Sequence, residues 1–194
     1  MCLTVPGRKI TCCPTEIVEP YVGDCVSAWL ASTNDHTPNR GPPMIRPTQE
    51  NDFDALIDIA TASGLFEPDQ TEMLAGMLRS PSENDVWFTD EDESGPVGVA
   101  YLAPEKMTNG TWNLLFIAVH PNHQRQGRGK TILKHVQDWL RLKGERILLV
   151  ETAGLDDFDY VRTFYAGDGF ETEARVRDFY DSGVDKVIFR KSLN

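Results

Sequence analysis

Between His120 and Gln137 the chain carries Arg125, Arg128, Lys130 and Lys134 without one Asp or Glu, although its 194 residues have a formal net charge of -11. Within that cationic stretch stands Gln124-Arg125-Gln126-Gly127-Arg128-Gly129, preceded by the apolar run Leu114–Val119 and followed by Lys130-Thr131-Ile132-Leu133. The order reads as strand, glycine turn and helix start. Such a junction suits a phosphate: glycines allow close backbone approach, the first helical N–H groups are free to donate, and the helix dipole favours an anion. A bare Gly-x-Gly says little, since a second one occurs at Gly167-Asp168-Gly169. The competing reading is a solvated strand-to-helix turn. Two named anion motifs are excluded, because a P-loop needs glycine where Gln124 stands and a dinucleotide fingerprint needs one at Ile132.

The pattern that remains, Val119-His120-Pro121 followed by Gln124-x-x-Gly127-x-Gly129, resembles the acetyl-CoA-binding segment of the GNAT superfamily of N-acyltransferases. A second match follows the apolar strand Ile147–Thr152, where Phe164-Tyr165-Ala166-Gly167-Asp168-Gly169-Phe170 resembles that family's F-Y-x-x-x-G-F. More narrowly, Ile117-Ala118-Val119, Gln124-Arg125, Val150-Glu151 and Arg177-Asp178-Phe179-Tyr180 are similar to the ribosomal-protein alanine N-acetyltransferases. The resemblance implies a mixed, mostly antiparallel sheet of six or seven strands with helices on both faces. It implies acetyl-CoA as co-substrate. Backbone groups of Gln124, Arg125, Gln126, Gly127, Arg128, Gly129, Lys130 and Thr131 would meet the diphosphate, and those of Ile117, Ala118 and Val119 the pantetheine arm. The side chains of Arg125, Arg128 and Lys130 are either phosphate partners or solvated helix-start cations.

Acyl transfer to an amine requires that the ammonium lose a proton and that the leaving thiolate gain one. By the resemblance, Tyr165 is the acid, since a phenol is neutral at pH 7 and can donate. Glu151, closing an apolar strand, is the base; the alternative is a carboxylate that simply faces solvent. Some family members place the base on the earlier strand, where this chain has Asn113, a poor base, which favours Glu151. His120 and His123 are further candidate bases beside the loop, or solvated imidazoles. One departure stands out: Asp159-Tyr160-Val161-Arg162-Thr163 replaces the family's usual S-N-x-x-A, so the asparagine that commonly touches pantetheine is missing. The implied reaction is acetylation of a primary amine, either a protein N-terminus or a small molecule. Two alternatives are a non-catalytic acetyl-CoA-binding sensor of the same fold and a basic patch for a protein partner.

These residues need elements to position them, and the periodicity supplies candidates. Residues 1–43 are punctuated by Pro and Gly and predict a flexible extension; 44–194, opening on a strand at Met44, form the domain that the resemblance implies to be of the GNAT type. Helices are predicted near 50–63, 69–79, 129–143 and 158–167, the second with Met73, Leu74, Met77 and Leu78 on one side and the third with Ile132, Val136 and Leu140 as its apolar stripe. Strands are predicted near 85–90, 97–103, 111–119, 146–152, 170–180 and 185–191.

Composition sets the remaining bounds. With 40% apolar and 25% charged residues, the chain has an ordinary soluble composition. Its acidic balance argues against nucleic acid as a partner, and Leu114–Val119, the longest apolar run, is far too short to cross a membrane. No basic segment followed by an apolar one opens the chain, so a cytoplasmic location is expected. Cys2, Cys12, Cys13 and Cys25 lack Cys-x-x-Cys spacing, and no metal is expected. A homodimer is left open.

Overall fold

The computed structural model describes residues 44–66 and 68–194. Strand β1 spans Met44–Pro47, and helices α1 (Phe53–Ala62) and α2 (Thr71–Arg79) follow it. Next come β2 (Val86–Asp92), β3 (Gly95–Pro104), β4 (Thr111–Val119), α3 (Arg128–Leu142) and β5 (Ile147–Ala153). Helix α4 (Asp159–Gly167) and the hairpin of β6 (Glu171–Asp181) and β7 (Val184–Ser192) complete the order. The seven strands form one sheet in the order β1-β2-β3-β4-β5-β7-β6. Each pair is antiparallel except β4 and β5. That parallel step is possible because α3 intervenes and carries the chain back across the sheet.

The expected mixed sheet with helices on both faces is therefore present. On one face the α3 stripe of Ile132, Leu133, Val136 and Leu140 packs with Phe88, Leu102, Leu114 and Leu148, and Tyr165 of α4 joins this core. On the other, Leu56 and Ile59 of α1 and Leu74 and Leu78 of α2 pack with Trp87, Val99 and Phe116. Coverage on both sides makes the middle of β3 continuously buried instead of alternating. Strand β6, at the sheet edge, is almost wholly exposed. Close docking of α3 depends on Gly98, where an added Cβ would come within 2.9 Å of Ile132 Cδ1.

The apolar stripe expected on α2 needs one correction. Met73 is 44% exposed, because the buried stripe is Leu74, Ala75 and Leu78 and Met73 lies one residue outside it. The expected extension 1–43, with its four cysteines, lies outside the described residues.

Candidate active site

The parallel ladder between β4 and β5 stops early. Its last pair is Leu114 with Val150, yet β4 continues to Val119 against β3, and β5 continues to Ala153 against β7. A wedge therefore opens in the sheet plane between Leu115–Val119 and Glu151–Ala153. One bond fixes which peptide groups face it: His120 N–H donates to Val97 O at 2.9 Å while Val119 stands opposite Gly98. In an antiparallel ladder this directs the amides of Ala118 and His120 toward β3, and those of Ile117 and Val119 away from it, into the wedge. Ile117, Ala118 and Val119 were all expected to serve an extended arm through their backbone; of the three, Ala118 has its amide turned to β3.

At the wide end of the wedge the chain turns into α3. Gln124 bends back so that its Nε2 donates to Val119 O at 2.9 Å. Arg125 and Gly127 both take left-handed backbone conformations, with φ of 57° and 80°. The first helical bond is Thr131 N–H to Gly127 O at 3.0 Å, which leaves the N–H groups of Arg128, Gly129 and Lys130 without helical acceptors. A Cβ added at Gly127 would meet nothing within 4 Å. The space beside that backbone is thus open. The side chains of Arg125 and Lys130 are exposed around it.

Arg128 departs from its expected place. Its guanidinium is buried, donating to both carboxylate oxygens of Asp90 at 2.9 Å and to Asp92 at 2.7 Å. Only its backbone is offered to the loop. Burial pushes the Asp90 carboxyl up from its ordinary pKa, with the Arg128 bonds pulling against it. Asp92 is held low: burial works to raise it, but hydrogen bonds from Ser94 and the charges of Arg128 and His123 outweigh that. Both histidines are likewise engaged. His123 Nδ1 lies 3.3 Å from Asp92, and His120 Nδ1 accepts the Asn122 N–H at 3.3 Å.

Across the wedge, Glu151 is the first β5 residue beyond the last β4 pair. Val150 points into the core shared with α3, so Glu151 points to the opposite face. There its Oε2 lies 2.8 Å from Lys186 Nζ of β7, and that ammonium also sits 3.6 Å from the centre of the Phe179 ring. Tyr165 approaches from the other face. It is 4% exposed and packed among the rings of Phe164, Phe170 and Phe189. Burial pushes its phenol well above the ordinary tyrosine value, so it keeps its proton. A group lying in the wedge would have Glu151 on one face of β5 and Tyr165 on the other.

Asn113, further down β4, is buried, and its Nδ2 donates to Glu105 Oε1 at 3.0 Å. The second Gly-x-Gly proves structural. Asp168 accepts from Gln137 at 2.6 Å and from Lys191 at 2.8 Å, tying the end of α4 to α3 and β7. Sequence reasoning missed Lys186, Asp90 and Asp92, whose partners are 35, 38 and 36 residues away. No local pattern announces such pairs. Among the described residues no group of three or more His, Cys, Asp or Glu could hold a metal, and no helix is long and apolar enough to cross a membrane.

Free helix-start amides, an open glycine flank and inward amides on Ile117 and Val119 fit a long, phosphate-bearing ligand laid from the α3 N-terminus into the wedge. Comparison with known proteins agrees. Residues 53–170 match the acetyltransferase (GNAT) family. A GNAT-family protein from Desulfovibrio desulfuricans is 28% identical with a TM-score of 0.74, over 79% of this chain and 100% of that one. The ribosomal-protein-S18-alanine N-acetyltransferase of Escherichia coli is 22% identical with a TM-score of 0.66, over 79% and 95%. A protein from Salmonella typhimurium, solved with acetyl-CoA, shares the fold at 17% identity and a TM-score of 0.61, over 78% and 94%.

Proposed function

Because the chain belongs to the GNAT acetyltransferase family, we propose that it transfers the acetyl group of acetyl-CoA to a primary amine, with Glu151 as general base and Tyr165 as general acid. The observation that carries this reading is the wedge itself, with main-chain donors along its β4 edge and Glu151 as the first β5 residue beyond the last pair, while Tyr165 lies buried in the core on the other face of the sheet.

In this reading the amides of Arg128, Gly129 and Lys130 hold the diphosphate, with Arg125 and Lys130 adding charge. The inward amides of Ile117 and Val119 hold the pantetheine arm as an added strand would be held. The bound thioester supplies an activated acyl carbon at the wedge. Glu151 removes a proton from the acceptor ammonium, directly or through water, and so frees the nitrogen lone pair for attack. Tyr165 gives its proton to the departing sulfur. Raising the phenol pKa weakens it as an acid but guarantees that the proton is present, and a thiolate is basic enough to take it once the carbon–sulfur bond lengthens.

The acceptor is a protein N-terminus or a small-molecule amine. Similarity to the ribosomal-protein-S18-alanine enzyme supports the first. The test is thiol release from acetyl-CoA with a panel holding an alanine-initiated peptide, polyamines and simple primary amines. Release with at least one of them is expected. Binding of acetyl-CoA without release for any of them would make the protein a sensor instead.

A further inference from the structure

The place where the acceptor ammonium must meet Glu151 is already occupied by an ammonium of the chain. Lys186 Nζ lies 2.8 Å from Glu151 Oε2 and 3.6 Å from the Phe179 ring centre, with its side chain 12% exposed. A carboxylate opposed by an aromatic face is the chemistry that binds a primary ammonium. The pairing is also shaped by the sheet. Lys186 stands opposite Ala153 and Glu151 opposite Ile188, so the two side chains meet diagonally on the face away from α3 and α4, at the rim of the wedge.

We propose that Lys186 is the resident amine of the acceptor site, and that the protein acetylates it when no other acceptor is present. This rests on the reading of Glu151 as the base. Glu151 takes one proton from the Lys186 ammonium and later gives it to water. The freed nitrogen attacks the thioester carbonyl; a carbon–nitrogen bond forms and the carbon–sulfur bond breaks. The second nitrogen proton balances the one delivered to sulfur by Tyr165, so the products are N-ε-acetyl-lysine and a free thiol. No oxidant or further reactant is needed. The acetylated side chain has lost its charge, so it no longer pairs with Glu151. The carboxylate is then released to an incoming amine.

Other lysines supply the control. Lys134 pairs with Asp138 on α3, and Lys191, opposite Leu148, pairs with Asp168, so both pairs lie on the face of the sheet opposite Glu151. If Lys186 is merely one more stabilising ion pair, it should react no faster than these. The full chain is incubated with acetyl-CoA and no acceptor, and acetylation is mapped by peptide mass spectrometry over time. Lys186 should gain an acetyl group about 10²-fold faster than Lys134 or Lys191, the low end of what a positioned base contributes. Glu151→Gln should bring that rate down to the level of the other two. An acceptor that is turned over should slow it. Lys186→Arg, which keeps the charge and the pairing, should lose the modification while binding acetyl-CoA with unchanged affinity by calorimetry. Equal rates at the three lysines, or a Lys186 rate untouched by Glu151→Gln, overturn the proposal. If thiol release with an added amine still proceeds, the transferase reading survives that result. If neither acceptor nor Lys186 is acetylated, both fall.

Discussion

On the β4 side of the wedge the groups proposed to meet acetyl-CoA belong to the main chain, whereas on the β5 side the proposed catalytic groups belong to side chains. Ile117, Val119 and the first residues of α3 offer N–H groups whose direction is set by strand pairing, left-handed turns and helix geometry. Glu151 and Tyr165 offer a carboxylate and a phenol whose behaviour is set by burial and by neighbours. A main-chain site tolerates many side chains but few backbone conformations. A side-chain site is the reverse: one atom can abolish it without disturbing the fold. The two halves should therefore fail in different ways.

The largest expected effect is on the main-chain half. Gly127→Val puts a branched side chain at φ 80°, which costs about 1–2 kcal/mol or more for an L-residue. It also adds a side chain to the open space beside the loop backbone. Calorimetry should show no acetyl-CoA binding to protein that still melts cooperatively. Gly127→Asn separates the two causes, because Asn accepts left-handed backbone readily but still adds a Cβ. It too should bind far more weakly. Wild-type affinity in the Asn variant would show that conformation alone, and not close approach, is what the glycine provides.

The side-chain half should break in the opposite manner. Tyr165→Phe keeps the ring packing against Phe170 and Phe189 and removes a buried hydroxyl. Its kcat should fall about 10²–10⁴-fold, the usual effect of one proton-transfer group, with acetyl-CoA affinity and melting temperature unchanged. Glu151→Gln should lose rate similarly. Wild-type turnover by Tyr165→Phe would remove the phenol from the mechanism.

This contrast also explains what could be read from the sequence. The strands, the glycine turn and the α3 stripe of Ile132, Val136 and Leu140 are local patterns, and each appears in the structure near its expected place. The two motifs near the wedge, Gln124–Gly129 and Phe164–Phe170, were likewise legible. The partners of charged side chains were not. Arg128 looked identical in kind to Arg125, and only the return of β2 beneath α3 brings Asp90 and Asp92 to it. Lys186 was silent for the same reason: β7 lies next to β5 in the sheet although 33 residues separate Ala153 from Lys186, the pair at the end of that ladder. Periodicity places a residue on a face; it does not say which distant residue shares that face.

Arg125 and Arg128 give a sharper test of the divide. Arg128→Met leaves the Asp90 carboxylate, 0% exposed, without its cation. Breaking a buried pair from one side typically costs about 3–5 kcal/mol, so chemical denaturation should show a loss of that order. Arg125→Ala touches an exposed side chain and should move stability by less than about 0.5 kcal/mol. It should instead weaken acetyl-CoA binding and reduce its salt dependence. The double change Arg128→Met with Asp90→Asn should recover part of the lost stability. If Arg128→Met unfolds nothing but lowers affinity, its side chain reaches the ligand after all.

The smallest effect concerns pH. The main-chain donors do not titrate, so acid dependence in that half must come from the ligand's phosphates or from how firmly α3 is docked. His135 of α3 is half-buried with its ring 4.8 Å from that of Phe88 on β2. Burial lowers its pKa below the ordinary 6.5, with Asp138 opposing weakly. A histidine whose folded pKa is depressed contributes stability that is fully present above its unfolded pKa and is lost as pH falls through the folded one. Acidification below about pH 6.5 should therefore destabilise the fold, and His135→Leu should remove that component. Acetyl-CoA affinity compared between wild type and His135→Leu then isolates the protein's share, since the phosphates are common to both. A small difference that grows only in acid is expected. An equal difference at neutral pH would mean that His135 acts by packing alone and that α3 docking carries no proton linkage.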